Sequence, residues 1–439
     1  MAHAVPDGIR RRRRPAELRR TVVAASRRLF AEQGYQGTTQ KQIAASAGVS
    51  TSVLFRNFTS KAQLFVEAAF EPFSDFGGDL VAIYSVPPDT TDRAPERLFI
   101  VGMIERLQPH RGILRSLLSA LQSPDGDALM QAMGQRMDAL ISDVSDVVSQ
   151  TTCGHQLPAG QPEIVLRLAI GMVTMMVALD DWLLPTDLSV DDDRLIDVLE
   201  SMVTFDASIS PSNGHPRRTR STHAFPTPVG PTSAAEVPRR NSDEVRSALL
   251  TAATTLFREN GFSATGYRDI ALSAGTSESV LYRHFGSKSN LLAEAALRPF
   301  TDNFEAASRR WTAMTPDTRR ARQPQVIAEL YSTFAANRHL VRVLMGLAHD
   351  PSHADLNALT ARWFEQSFAT LAALSIERAR AEQVTPYEPE LRIRSVVAMV
   401  LAAAVLDDWF FTRGDAVPAG SQVVAAMSAL VDHGRRSQS

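Results

Sequence analysis

Cysteine is almost absent from this chain: Cys153 is the only one in 439 residues. One thiol excludes an internal disulfide framework and fits a reducing compartment. Long apolar runs are also lacking. The longest apolar stretch, Leu168 to Leu179, is too short to span a bilayer. No apolar run of signal-peptide length follows the basic stretch Arg10 to Arg14. These features predict a soluble, cytoplasmic protein with no membrane partner. Glycine and proline are sparse inside the repeated units described below, and strand-like alternation is hard to find, which argues against a β-rich fold. A charge excess of one sign is missing too. The formal net charge is -2, so any polyanion contact must come from local patches rather than from the whole molecule.

What the chain does have is a duplicate of itself. Residues 21–73 read TVVAASRRLFAEQGYQGTTQKQIAASAGVSTSVLFRNFTSKAQLFVEAAFEPF, and residues 248–300 read ALLTAATTLFRENGFSATGYRDIALSAGTSESVLYRHFGSKSNLLAEAALRPF. Leu29 pairs with Leu256, Gly48 with Gly275 and Lys61 with Lys288, always 227 positions apart. Leu179-Asp180-Asp181-Trp182 recurs as Leu406-Asp407-Asp408-Trp409 at the same offset. A constant offset across a whole half means two copies of one complete unit, each large enough for a core of its own.

Apolar residues recur at helical spacing throughout, as in Leu18, Val22, Ala25, Leu29 and Phe30 and again in Leu249, Ala253, Leu256 and Phe257. The expected fold is all-α. Glu163 to Leu184 reads as one buried helix, and Asp191 to Phe205 as an amphipathic one with acids at its start. Residues 206–242 are rich in Pro, Ser, Thr and Arg and read as a disordered linker. Charge is uneven. Gly8 to Lys61 holds twelve Lys/Arg against two acids, whereas Arg239 to Lys288 holds seven against five. The predicted organisation is a basic arm (1–15), a first head (16–72) and body (73–205), the linker, a second head (243–299) and body (300–432).

Residues 39–58 carry the informative local pattern. Thr39 caps a short helix, with Gln42 completing a capping box. Ile43, Ala44 and Ala47 face inward, and Gly48 ends the helix in a left-handed position. Ser50 then caps a second helix through Phe55. Two short helices joined by a tight glycine-containing turn form a helix-turn-helix, which projects the first residues of its second helix toward base edges in the major groove. The second copy repeats this with Ile270, Ala271, Gly275 and Ser277 before Glu278 to Phe285, although Gly266 replaces the cap at Thr39.

The pattern Gly34-Tyr35, Thr38, Ile43-Ala44, Ala47-Gly48, Ser50, Leu54-Phe55, Phe58, Ser60-Lys61, Leu64 resembles the TetR family of bacterial transcriptional regulators. So does Gly261-Phe262, Thr265, Ile270-Ala271, Ala274-Gly275, Ser277, Leu281-Tyr282, Phe285, Ser287-Lys288, Leu291. The resemblance implies two tandem units, each with a three-helix DNA-binding head and a helical ligand-binding and dimerisation body. It implies double-stranded DNA as partner and residence at the bacterial nucleoid. By position it places Lys41 and Arg268 at a base or phosphate, and Thr51, Ser52, Glu278 and Ser279 at the start of the recognition helices. Tyr282 and His284 fall at phosphate contacts, with Phe55 and Asn57 as their counterparts. Lys61 and Lys288 open the next helix, where an ammonium and a helix N-terminus both favour phosphate. Arg12 and Arg13, in register with Arg239 and Arg240, form an arm suited to the minor groove. The unlike heads predict an imperfect palindrome as operator.

Asp180-Asp181-Trp182 invites a metal or acid–base reading. Neighbours on a helix diverge, no metal-ligand motif, cysteine pair or phosphate loop accompanies them, and no cofactor, metal or enzymatic activity is expected. They read as acids making structural hydrogen bonds beside a buried tryptophan. Met133 and Met137 with Met130 share one helical face, and Met172 and Met176 mark another. They read either as ordinary core or as a deformable apolar pocket. The family resemblance implies a small apolar inducer that lowers DNA affinity, and pairing of the last two helices of each unit, within one chain or between two chains. The competing expectation is a ligand-sensing or protein-interaction scaffold in which one helix-turn-helix no longer binds DNA, motivated by Glu278 and the weaker charge of the second head.

Overall fold

The computed structural model describes residues 15–85, 95–121, 123–151, 162–203, 241–312, 316–348, 353–381, 387–411 and 420–436. Among them every regular element is a helix. The first half comprises α1 (Pro15–Gly37), α2 (Gln40–Ser46), α3 (Thr51–Asn57), α4 (Lys61–Ser85), α5 (Pro95–Leu107), α6 (Arg111–Ala120), α7 (Gly126–Thr151), α8 (Pro162–Ala178), α9 (Asp180–Leu183) and α10 (Asp193–Val203). The second half repeats the order: α11 (Ser242–Asn260), α12 (Tyr267–Ser273), α13 (Glu278–Phe285), α14 (Lys288–Thr312), α15 (Pro316–Ala336), α16 (Arg338–Ala348), α17 (Ala354–Ala381), α18 (Pro389–Val405), α19 (Asp407–Phe410) and α20 (Gly420–Arg436). No described helix is long and apolar enough to cross a membrane. Nearly all of the predicted arm and of the predicted linker lies outside the described residues.

Each head is closed by the same local devices. Gly34 and Gly261 have φ of 70° and 78°, a region open to glycine at little cost; Gly34 kinks α1 near its end and Gly261 ends α11. The buried Thr38 hydroxyl then donates to the carbonyls of Leu29 and Gly34, and Thr265 does the same to Leu256 and Gly261. The apolar stripe predicted on α1 is buried from Val22 to Phe30, and Ile43, Leu54, Phe58 and Leu64 close the head core beneath it. The predicted head–body boundaries fall inside α4 and α14, beside Pro72 and Pro299, one proline within each helix.

Glu163 to Leu184 is not one helix. It breaks at Leu179 (φ -118°, ψ 33°), and the second copy breaks at Leu406 (φ -110°, ψ 33°). The cause is an arginine from far upstream. Arg115 Nε donates to the Ala178 carbonyl at 2.9 Å, the acceptor a continuing helix would offer to the Trp182 N–H, which bonds Leu179 instead. Arg342 Nε does the same to the Val405 carbonyl at 2.6 Å. The expected divergence of the acid pair is also overturned. In the first turn of α9 both carboxylates converge on one guanidinium, Arg115 Nη2 lying 2.7 Å from Asp180 and 3.0 Å from Asp181. Arg342 Nη2 likewise meets Asp407 at 3.2 Å and Asp408 at 3.1 Å. Arg111 and Arg338 add a second cation to Asp180 and Asp407. Burial, then the neighbouring Asp408, pushes the Asp407 carboxyl above its ordinary value, opposed by the two arginines. The helix expected from Asp191 begins at Asp193, because the Asp192 carboxylate accepts the Arg194 N–H and so sits outside it.

The two halves pack on each other through α8 with α18 and α10 with α20, and α6 meets α16. α8 and α18 approach closely at Gly171, where a Cβ would lie 2.6 Å from Ala402 Cβ. Polar ties cross the same seam. Arg167 Nη1 donates to the Phe410 carbonyl at 2.8 Å, Arg194 pairs with Glu388, and Arg392 donates to Ser201 at 3.0 Å.

Candidate nucleic-acid interface

The first head presents a helix-turn-helix whose turn is fixed by side-chain chemistry. Thr39 Oγ1 accepts the Gln42 N–H, and Gln42 Oε1 accepts the Thr39 N–H at 2.7 Å, completing the reciprocal cap. Gly48 turns the chain with φ of 65°. Ser50 Oγ accepts the Val53 N–H and starts α3. Ile43, Ala44 and Leu54 are buried, so Lys41, Thr51, Ser52, Phe55 and Arg56 are left on the outside. Phe55 is 53% exposed, an unusual position for a large apolar ring. Asn57 turns inward along its own helix, donating to the Val53 carbonyl at 2.8 Å.

The second head reaches the same turn by different bonds. Gly275 has φ of 66°. Gly266 brings no capping oxygen, but the Asp269 carboxylate accepts its N–H at 3.1 Å. Ser277 pairs with Ser279 at 2.9 Å rather than with the backbone. Arg268, Glu278, Ser279, Tyr282 and Arg283 are exposed. His284 is half-buried, and its carbonyl accepts from Arg246. Tyr282 stacks on Tyr267 at 4.6 Å between ring centroids. The Tyr267 hydroxyl first, then partial burial and the Glu278 carboxylate, hold the Tyr282 phenol above its ordinary value. It therefore stays a neutral hydrogen-bond donor at physiological pH.

These two helix-turn-helix segments coincide with known sequence. The family described as bacterial regulatory proteins, tetR family, matches twice, at residues 22–68 and 249–295. Both heads carry the sequence of that family. The chain is 42% identical over 77 residues to the HTH-type transcriptional activator FasR of Mycolicibacterium smegmatis, covering 18% of this chain and 35% of the relative. It is 37% identical over 98 residues to the HTH-type transcriptional repressor KstR2 of Rhodococcus jostii, covering 22% and 47%. The matched stretch is thus less than half the length of either relative. Among solved structures, the TetR-family regulator PfmR of Thermus thermophilus is 24% identical with a TM-score of 0.30, over 42% of this chain and 96% of that one.

The two TetR-family heads hold their helix-opening lysines in one shared arrangement. Lys61 Nζ lies 4.3 Å above the Tyr35 ring and Lys288 Nζ 4.2 Å above the Phe262 ring. Burial lowers both ammonium pKa values, with Asp125 partly offsetting it for Lys61. The backbone N–H of Lys288, expected to be open to phosphate, donates to the Tyr267 hydroxyl at 2.8 Å. Tyr35 donates to Asp125 at 2.7 Å, tying the first head to the turn just before α7 in its body. Burial, then Asp125, raises the Tyr35 phenol pKa.

Three features were missed in the sequence. Tyr267 orients Tyr282, yet its counterpart Gln40 is not aromatic, so the repeat hid it. Arg56 and Arg283 are exposed in the last turn of both recognition helices at the common offset, which could have flagged them. Arg19 pairs with Glu67, and Arg246 with Glu294, bracing the first helix of each head against the fourth. Arg12 and Arg13 lie outside the described residues. Met133, Met137, Met172 and Met176 are all buried in the first body. No group of three His, Cys, Asp or Glu suited to a metal occurs among the described residues.

Proposed function

We propose that this chain is a sequence-specific DNA-binding transcriptional regulator that engages one operator with two unlike heads. The observation that carries the reading is the duplicated helix-turn-helix. Two family-matched segments share one turn geometry, at Gly48 and Gly275, and each turns hydroxyl, aromatic and guanidinium groups outward. Heads 16–72 and 243–299 supply the contacts, through Thr39, Lys41, Thr51, Ser52, Phe55, Asn57 and Lys61 on one side and Arg268, Glu278, Ser279, Tyr282, His284 and Lys288 on the other. Arg12 and Arg13 reach the adjacent minor groove. The packing of α8 and α10 against α18 and α20 supports a single polypeptide doing what two identical subunits do elsewhere, aided by the high effective concentration of tethered halves. Repression is the proposed direction, the role KstR2 is named for; FasR is named an activator. A small apolar ligand in the helical body releases the operator.

Selection of bound duplexes from a random pool by the full chain tests this. Two unlike half-sites at one fixed spacing, bound by one chain per duplex in light scattering, are expected. No enrichment over the starting pool refutes DNA reading altogether. The exposed Glu278 at the tip of α13 favours a second reading, in which the second head has lost DNA contact. Enrichment of a single half-site, with no effect of Tyr282→Phe or Lys288→Gln, would select that reading.

A further inference from the structure

The two bodies carry one device in two chemical versions. Each body receives a tryptophan from the other half. α9, with Trp182, packs on α17, and α19, with Trp409, packs on α7. Both indoles are buried. On α17 the indole is fully served. Trp182 Nε1 donates to Asn357 Oδ1 at 2.5 Å, and Asn357 Nδ2 donates on to Asp181 at 2.8 Å. The Trp182 ring stacks on Phe364 at 5.7 Å, which stacks on Phe368 at 5.6 Å.

The face of α7 at the same offset reads differently. Asn357, Thr360, Phe364 and Phe368 become Met130, Met133, Met137 and Ile141. All four are buried on one helical face. The amide that would accept the indole proton is replaced by a thioether, a weak acceptor. Trp409 Nε1 accordingly has no hydrogen-bond partner among the described residues. A buried donor without an acceptor is costly and rare. On the helix face itself the rings of α17 have also given way to flexible methionines on α7, which repack around an inserted group at low cost, while Trp409 keeps Phe410 stacked at 4.7 Å and Phe73 edge-on at 5.9 Å.

We infer that the first body, and not the second, binds the effector: an apolar molecule carrying one oxygen acceptor that takes the Trp409 Nε1 proton while the α7 methionines shift around its chain. This rests on the reading of the bodies as ligand sensors and adds which body senses and what chemistry it takes. The second body has the same position filled by rigid rings and a satisfied amide, so it acts as a fixed partner.

The test uses the full chain labelled with 15N-tryptophan, whose four indole N–H signals report each ring separately. Methyl hexyl ketone is the probe, and its isostere with CH2 in place of the oxygen is the control. The Trp409 signal should move downfield saturably with the ketone and not with the isostere, while Trp182 stays put. Met130→Asn should move the Trp409 signal downfield with no probe present and weaken ketone binding at least tenfold. A Trp409 signal unmoved up to the solubility limit, or Trp182 moving alike, or equal shifts with the isostere, overturns the inference. Operator binding is measured on the same samples. Intact DNA binding with a silent Trp409 sinks this inference alone, and a responsive Trp409 without DNA binding sinks only the regulatory reading.

Discussion

Replacing Gly171 with alanine should weaken this protein, although alanine is the better helix former. In an ordinary helix interior the exchange stabilises by about 0.5–1 kcal/mol. Here the new methyl carbon would stand 2.6 Å from Ala402 Cβ, far inside the ~3.5–4.0 Å optimum for two carbons. Ala402 Cβ is fixed to its backbone, so no rotamer change gives relief and α8 must part from α18. Overpacking of this kind costs about 1–3 kcal/mol, leaving a net loss of roughly 1 kcal/mol after the helical gain. Urea unfolding followed by circular dichroism reads it as a lower midpoint with an unchanged slope. Ala402→Gly removes the opposing methyl, so the double variant should recover the overpacking cost, giving a coupling of about 1–3 kcal/mol in the cycle. A higher midpoint for Gly171→Ala, or a strictly additive cycle, would refute the contact between the halves.

Deleting residues 1–14 should weaken operator binding and flatten its salt dependence by about 0.9 in log–log slope for each arginine that meets a phosphate; an unchanged slope removes the arm from the interface. Arg342→Gln should cost about 2–4 kcal/mol, because Asp407 and Asp408 lose the guanidinium they share, and thermal unfolding checks it. Tyr35→Phe should lower stability near neutral pH but close its gap to the wild type in alkali. The folded-state pKa of Tyr35 is raised, so its stabilising contribution is fully present below the unfolded value of about 10 and is lost progressively above it, as pH rises toward the raised folded value. A gap that stays constant from pH 8 to about 11 counts against the Tyr35–Asp125 tie. Thr39→Ala should cost about 1 kcal/mol through the lost cap, while Gly266→Ala, at a site capped only by Asp269, should not repeat that loss in hydrogen exchange of α12.

The heads were legible in the sequence because their determinants are local. Caps at Thr39 and Ser50 act within a few residues, and the repeat states the left-handed turn glycine twice, at Gly48 and Gly275. The bodies were less legible where a distant side chain decides. Nothing near Leu179 announces a helix break, since the carbonyl that would continue the helix is taken by Arg115, more than sixty residues upstream. The acid pair misled for the same reason. The rule that adjacent helical side chains diverge holds in a helix interior, but in a first turn one guanidinium gathered both. The clamp's own signal was present, because Arg111 and Arg115 recur as Arg338 and Arg342 at the common offset. For Lys61 and Lys288 the repeat marked the positions but not their surroundings, since the rings under each ammonium are brought there by the fold.

Met130 and Asn357 have a consequence for how such a molecule changes over time. In an assembly of identical subunits every substitution arrives on both sides of the axis together, so a loosened pocket or a new base preference is imposed in duplicate. When both copies are encoded in one reading frame, one side is free to drift toward a new chemistry while the other preserves the scaffold. Divergence between the duplicates then records which tasks have been divided between them.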